Sequence, residues 1–415
     1  MMDVMGFLST YSDGILFGLL IIFLTIFILY ERKKGKVEVE KILGNFIYIV
    51  MYKTTWGLDQ MDRWAKRHKG FFKYLNPVII FTGIVGAVLI SGTMIYFFLN
   101  MFMTEAEVQA VALVLPVNID SAFVYYVPFL YWIISIFLIA SVHEMAHGII
   151  ARYYNIKLKS TGFAFLGLIV PIIPAAFVQP DEKDIMKRPA KEQLAVYAAG
   201  PFSNFVFGLL TALLLIFILT PAINNLHEVE GIRVSGIHEQ SDLLNTQFNA
   251  TNELIIGIDN QDITQEFNMR DYFLSKDPGD SILLRTNVTE HTVNLIPHVD
   301  GSNRAYLGVE FSGQIKVKES KEAWAPFIPS LIWIHGLVYM LTLLNFGIGL
   351  FNLFPILITD GGRMLYTILK DYFKLGEERA GFLTGKIGLF FLIILLGLLF
   401  LPMTPIPEII RGFFI

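Results

Sequence analysis

Apolar residues in this chain gather into long unbroken runs, and polar residues into the gaps between them. A helix needs roughly 20 apolar residues to cross a hydrocarbon core. Six runs meet that need, at about 14 to 30, 78 to 101, 126 to 151, 194 to 220, 327 to 351 and 381 to 401. Basic residues follow the first run rather than precede it, and no small-residue cleavage site appears, so it reads as a retained anchor rather than a signal peptide. A seventh apolar stretch, 161 to 180, is broken by Pro171, Pro174 and glycines and is too short for two crossings. It reads as a re-entrant or edge-strand element, which at membrane depth must be covered by protein or line a wet cavity. Between about 226 and 324 the period changes to short alternating runs broken by Gly, Asn and Asp, which predicts a small β-rich domain.

Lysine and arginine orient the crossings, because loops on the cytoplasmic side are enriched in both. The loop after the first run carries Arg32, Lys33, Lys34, Lys36, Arg63, Lys66, Arg67, Lys69 and Lys73, whereas 103 to 126 carries none. Counting on, the segments with Arg152 to Lys191 and with Lys370, Lys374 and Arg379 also lie inside, and the β-rich segment lies outside. There Asn249-Ala-Thr and Asn287-Val-Thr would be glycan acceptors. Composition agrees with a membrane protein: 54% of the residues are hydrophobic. A net charge of −4 without single-sign blocks gives no footprint for nucleic acid. With no cysteine, thiolate ligands and a cysteine nucleophile are excluded, so any metal must be held by His, Asp or Glu.

The third crossing ends in Ser141-Val-His-Glu-Met-Ala-His-Gly. At about 3.6 residues per turn, His143 and His147 share one helix face and can reach one ion, with Glu144 beside them. Zinc bound there would acidify a water to a pKa of about 7, and Glu144 would take its proton as the water attacks a peptide carbonyl. The alternative is a hydrated polar helix end, but three ionisable groups within five positions are costly there unless paired or solvated. Two histidines leave a catalytic zinc short of a ligand. Asp360 is the candidate for the third, being at the inner end of the fifth crossing, on the same side as His143. Taken alone, it would serve equally as the N-cap of a helix starting at Gly361.

The set His143-Glu-x-x-His147, Gly200-Pro-x-x-Asn204 and Asn352-x-x-Pro355-x-x-x-x-Asp360-Gly361 resembles the motifs of the site-2 protease family of intramembrane zinc metalloproteases. The resemblance covers about 126 to 373. It implies one Zn2+ per chain held by His143, His147 and Asp360, with Glu144 as general base. It also implies substrate contact by Asn204 and, in a supporting role, Asn352. The stretch Gly162 to Gly167 would match the family's edge strand, against which an unwound substrate pairs. The β-rich segment resembles a PDZ domain. One departure is that two crossings precede the His-Glu-x-x-His helix, joined by a basic, partly amphipathic loop.

The expected fold is therefore a polytopic α-helical membrane protein of about six transmembrane helices plus an edge-strand element, with an inserted small α+β PDZ-like domain. The segments are 1–125, the N-terminal helices and basic loop; 126–225, the first half of the protease core; 226–324, the PDZ-like domain outside the cytoplasm; and 325–415, the second half. The expected function is hydrolysis of transmembrane segments of membrane proteins, at the cell membrane. The competing readings are a metal-ion transporter, against which the absence of convincing internal repeats argues, and an inactive PDZ-bearing scaffold, against which Glu144 argues. Arg32 to Lys36 are expected to orient the first helix, His335 to bond between helices, and Gly347 and Gly349 to allow close helix approach. His238, His291 and His298 are expected at the surface. Oligomeric state leaves no trace in the sequence.

Overall fold

The computed structural model describes residues 4–35, 37–43, 47–104, 111–118, 124–168, 170–264, 267–298 and 304–414. Lys36, one of the basic residues counted above, lies outside them. Among the described residues six helices are long and apolar enough to cross a membrane: Ser12–Lys33, Lys69–Asn100, Phe129–Tyr153, Ala190–Leu226, Ser320–Asn352 and Glu377–Met403. They coincide with the six apolar runs, and with them the chain is an integral, multi-pass membrane protein. It divides into two compact units, residues 1–213 with 336–415, and residues 214–335.

The first unit opens with α1 (Val4–Lys33), followed by strands β1 (Val37–Leu43) and β2 (Ile47–Thr54). Next come the short amphipathic helix α2 (Leu58–Arg67) and α3 (Lys69–Asn100). The helix α4 (Phe129–Tyr153) leads into β3 (Leu158–Leu168), β4 (Val170–Pro180) and α5 (Ala190–Leu214). Residues 161–168 and 170–180 thus pair antiparallel, Thr161 with Val178 and Ala164 with Ala175. It belongs to a four-stranded sheet in the order β1-β2-β3-β4. Two expectations are corrected here. The basic loop after α1 is largely this sheet's other half, with alternating Val37, Val39 and Val50 packed on Leu24 and Ile28 of α1. Gly162 to Gly167, in β3, is paired on both sides, with β2 and with β4, so the free edge near α4 belongs to β4.

Small residues let the membrane helices approach, as they do where lipid supplies no hydrophobic drive. A Cβ at Gly83 would come within 2.6 Å of that of Ala198, and one at Gly349 within 3.1 Å of that of Asn204. Gly347 by contrast has open space beside it. On α2, buried Met61 fills the space that Gly148 of α4 leaves, and Asp62 accepts from Arg152 at 2.6 Å.

The second unit is built on β5 (His227–Ile237), β6 (Ile255–Ile258), the helix α6 (Met269–Leu274), β7 (Ser281–Thr286), β8 (Glu290–Asn294) and β9 (Val309–Val317). Its strands pair antiparallel in the order β8-β7-β6-β5-β9. Alternate residues such as Ile232, Val234, Ile258, Leu284 and Val293 form its core. His291 is not at the surface: it is 6% exposed, with Nε2 2.7 Å from Glu253 Oε2, which also accepts from Thr286. A buried carboxylate needs such partners to stay charged. His335 lies 3.1 Å from Thr220 Oγ1, a pairing between two helical segments as expected.

The chain completes the first unit with α7 (Ile328–Asn352), which enters it at Gly336, then α8 (Asp360–Thr367) and α9 (Glu377–Phe400).

Candidate metal centre

The helical period of α4 puts His143 and His147 one turn apart, and both are buried, at 7% and 8% exposure. They face α5 at Gly200, where a Cβ would overlap both imidazoles. Glycine is required here by the close approach rather than by its backbone angles. One turn earlier on α5 the Val196 carbonyl accepts from His147 Nδ1 at 2.7 Å, which leaves Nε2 with its lone pair free. Pro201 has no N–H for the helix ladder, which leaves the carbonyl of Tyr197, the residue after Val196, without its helix donor.

Asp360 arrives from α8. Thr359, not Asp360, caps this helix: its Oγ1 accepts from Gly362 N at 3.3 Å, and its one hydroxyl proton is within reach of the carbonyls of Phe354 and Ile356. The N-cap alternative for Asp360 therefore falls away, and its carboxylate points into the core instead. Gly361 and Gly362 pack directly against the Leu353 and Ile356 carbonyls, where any side chain would collide with backbone. The Asp-Gly-Gly run thereby locks α8 onto the end of α7.

Three donor atoms meet. His143 Nε2 is 3.2 Å and His147 Nε2 3.3 Å from Asp360 Oδ2, and the two nitrogens are 3.1 Å apart. Donors held about 2.0–2.1 Å from one ion at tetrahedral angles stand about 3.3 Å from each other, so this triangle fits a four-coordinate ion with a vertex open. Two nitrogens and a carboxylate oxygen are also the donor types zinc accepts.

Glu144, next to His143 on α4, accepts from the backbone N–H of Val178 at 2.8 Å. That N–H lies on the edge of β4 away from β3. Asn204 is fully buried on α5, with Nδ2 3.1 Å from His143 Nδ1 and Oδ1 without a partner. Asn352, the last residue of α7, is half-buried and makes no hydrogen bond to the triangle among the described residues. Reading the sequence missed Val178 and Val196, which act through backbone atoms and so leave no residue-type signal. Thr359 was legible as a threonine one position before a helix start.

A model of peptidase family M50 matches residues 131–395. Over 262 residues the chain is 25% identical to the uncharacterized protein MJ0971 of Methanocaldococcus jannaschii, covering 63% of this chain and 62% of that protein. The chain thus spans less than two thirds of the length of this relative.

Proposed function

This chain belongs to peptidase family M50, and on that premise we propose that it is an intramembrane zinc endopeptidase cutting transmembrane segments of membrane-protein substrates. The observation that carries the proposal is the buried triangle of His143, His147 and Asp360, with a carboxylate one residue along the same helix. These three would hold one Zn2+. When bound, such an ion acidifies water and polarises a peptide carbonyl.

The protein groups divide the remaining work. Glu144 takes the proton of the attacking water and passes it to the leaving amine. The Val196 carbonyl keeps His147 in the tautomer that presents Nε2. Asn204 does the same for His143 once its carboxamide is turned by half a revolution: Oδ1 then accepts from His143 Nδ1–H, and the NH2 takes the place where Oδ1 had no partner. From there it can donate to a substrate carbonyl. Asn352 acts at one remove, by supporting the end of α7.

A transmembrane helix hides its carbonyls in its own hydrogen bonds, so it must unwind before it can be cut. The free edge of β4 offers replacement bonds to an unwound segment by strand addition. A substrate carbonyl that accepts from Val178 N–H would displace Glu144 from it, so binding and release of the base would go together. The distribution of basic residues puts the triangle near the cytoplasmic face of the cell membrane and the β-rich unit outside, where a PDZ-like role in sorting ectodomains suits regulated proteolysis.

The test compares wild type with Glu144→Gln for metal content and for cleavage of a reporter transmembrane segment in proteoliposomes. Both proteins should carry about one zinc per chain. Only the wild type should cut, with the cut bond near the cytoplasmic face. A variant that cuts as fast as wild type removes Glu144 as the base. A zinc-loaded wild type that cuts no member of a substrate panel removes the protease reading.

A further inference from the structure

Beside the triangle, on its α8 side, lies a cavity of about 220 Å³. Its floor includes Gln193, Tyr197, Gly362 and Thr384, and its mouth includes Glu182, Leu357 and Arg363. Tyr197 is 8% exposed, and its hydroxyl has no hydrogen-bond partner among the described residues. The Arg363 guanidinium stands 5.9 Å from the centre of the Tyr197 ring. Gln193 is already committed, donating to the Arg188 carbonyl at 2.7 Å and accepting from Thr367. The chemistry lining the cavity is therefore the Arg363 cation and the Tyr197 phenol, with the Glu182 carboxylate at the mouth, a second phenol at Tyr366, and Met186 and Leu357 as the apolar part.

Arg363 is held only loosely. Among the described residues its one ion pair is with Glu182 at 3.4 Å, and the two side chains are 50% and 72% exposed. A strong guanidinium–carboxylate bond is shorter, about 2.7–2.9 Å. The pair therefore shows a carboxylate at the mouth without closing the cavity.

Position ties the cavity to the cut bond. Arg363 follows Asp360 by three residues, about 4.5 Å along α8. Glu182 follows Val178, where Glu144 docks, by four residues; the strand runs on to Pro180 and Asp181 caps a short helix that begins at Glu182, so the two lie at most about 13 Å apart at roughly 3.3 Å per residue. A strand laid along β4 across Glu144 would bring a side chain one to four residues from its scissile bond to this mouth.

Resting on the protease reading, we propose that this cavity is a specificity subsite that takes an aspartate or glutamate side chain of the substrate, which replaces Glu182 on Arg363 and accepts from the Tyr197 hydroxyl. The preferred substrates are then transmembrane proteins with an acidic residue within about four positions of the cut. That residue is an unusual feature on a flank where lysine and arginine predominate.

The experiment places Glu, Gln or Lys at each of the four positions on either side of the scissile bond in one reporter segment. The readout is the ratio of kcat/KM for Glu over Gln within each enzyme, so that a general loss of activity cancels. Wild type should favour Glu at one position by about 10- to 100-fold, the worth of a hydrogen bond to a charged group. In Arg363→Gln the ratio should fall to near unity, and in Arg363→Glu the preference should move to Lys. Tyr197→Phe should lower the ratio part of the way, and the metal content of each variant reports whether the triangle has formed. A wild type that cuts the series without an acidic preference at any position, or a ratio unchanged in Arg363→Gln, would falsify the subsite and leave the protease standing. A wild type that cuts nothing overturns both.

Discussion

Gly200 sets how near α5 can come to the two histidines, and no larger residue fits without moving them. Gly200→Ala places a methyl group between the imidazoles and the helix that orients His147. Metal affinity is expected to weaken by about 10- to 100-fold, the range for lost outer support of a ligand. Competitive titration with a zinc-sensitive dye measures it, and an unchanged affinity would mean that α5 can retreat. At this scale the ligand types were legible in the sequence. The spacing of His143 and His147 dictates a shared helix face, and Asp360 was readable as a candidate, though equally as a cap. What separated those readings was Thr359, whose hydroxyl reaches back to two carbonyls and takes the cap position. Backbone partners such as the Val196 carbonyl and the Val178 N–H are common to every residue type, and no pattern of side chains marks them.

Elements near the site depend on parts of the chain far from it. Strand β4, which carries Val178, is held by β3, which is held by β2, which rests on α1 through Val50, itself 2% exposed. Val50→Asp buries a charge in that layer and should loosen the sheet while leaving the ligands on α4 and α8 in place. We expect about one zinc per chain. Cleavage should fall by about 100-fold, since roughly an ångström of misplacement at a reacting bond has that effect. Loss of metal together with activity would instead show that the sheet is needed for the centre to form. The hairpin was within reach of sequence reading: Val37-Glu-Val-Glu-Lys-Ile-Leu alternates, Gly44-Asn45 is a turn signal, and Ile47 to Thr54 is rich in β-formers. Similarly, Gly162 to Gly167 does read as strand, but whether a strand lies inside a sheet or at its edge depends on pairings no local pattern contains.

At the scale of the whole molecule, the membrane crossings and the β-rich unit respond to different variables, and acid should separate them. Burial raises the Glu253 carboxyl, but bonds from Thr286, His291 and the Asn249 N–H outweigh this and hold it below its ordinary 4.5. A depressed folded-state value means that its contribution is complete above about pH 4.5 and is lost as pH falls through the lowered value. Hydrogen exchange on the full chain in detergent should therefore show the amides of β6, β7 and β8 losing protection below about pH 4.5, ahead of those of α4 and α5. Glu253→Ala should lower the stability of that unit by about 3 kcal/mol at neutral pH, because it strips one partner from a buried pair. It should also flatten the acid response. Equal acid sensitivity in wild type and variant would assign the effect elsewhere.

Length and continuity of the apolar runs were enough to determine the six crossings, because a hydrocarbon core accepts a helix of that size from its composition alone. The change of period after 226 likewise announced a separate β-rich region, and the motif spacing named the family. Tertiary structure alone decided that residues 37–43 and 47–54 extend the sheet beside the metal centre, that β4 owns its free edge, and that His291 is buried. It also decided that Arg363 and Tyr197 share a cavity next to Asp360. These are juxtapositions of segments distant along the chain. They depend on which surfaces pack together, whereas a periodic pattern records only that a surface is there to be packed.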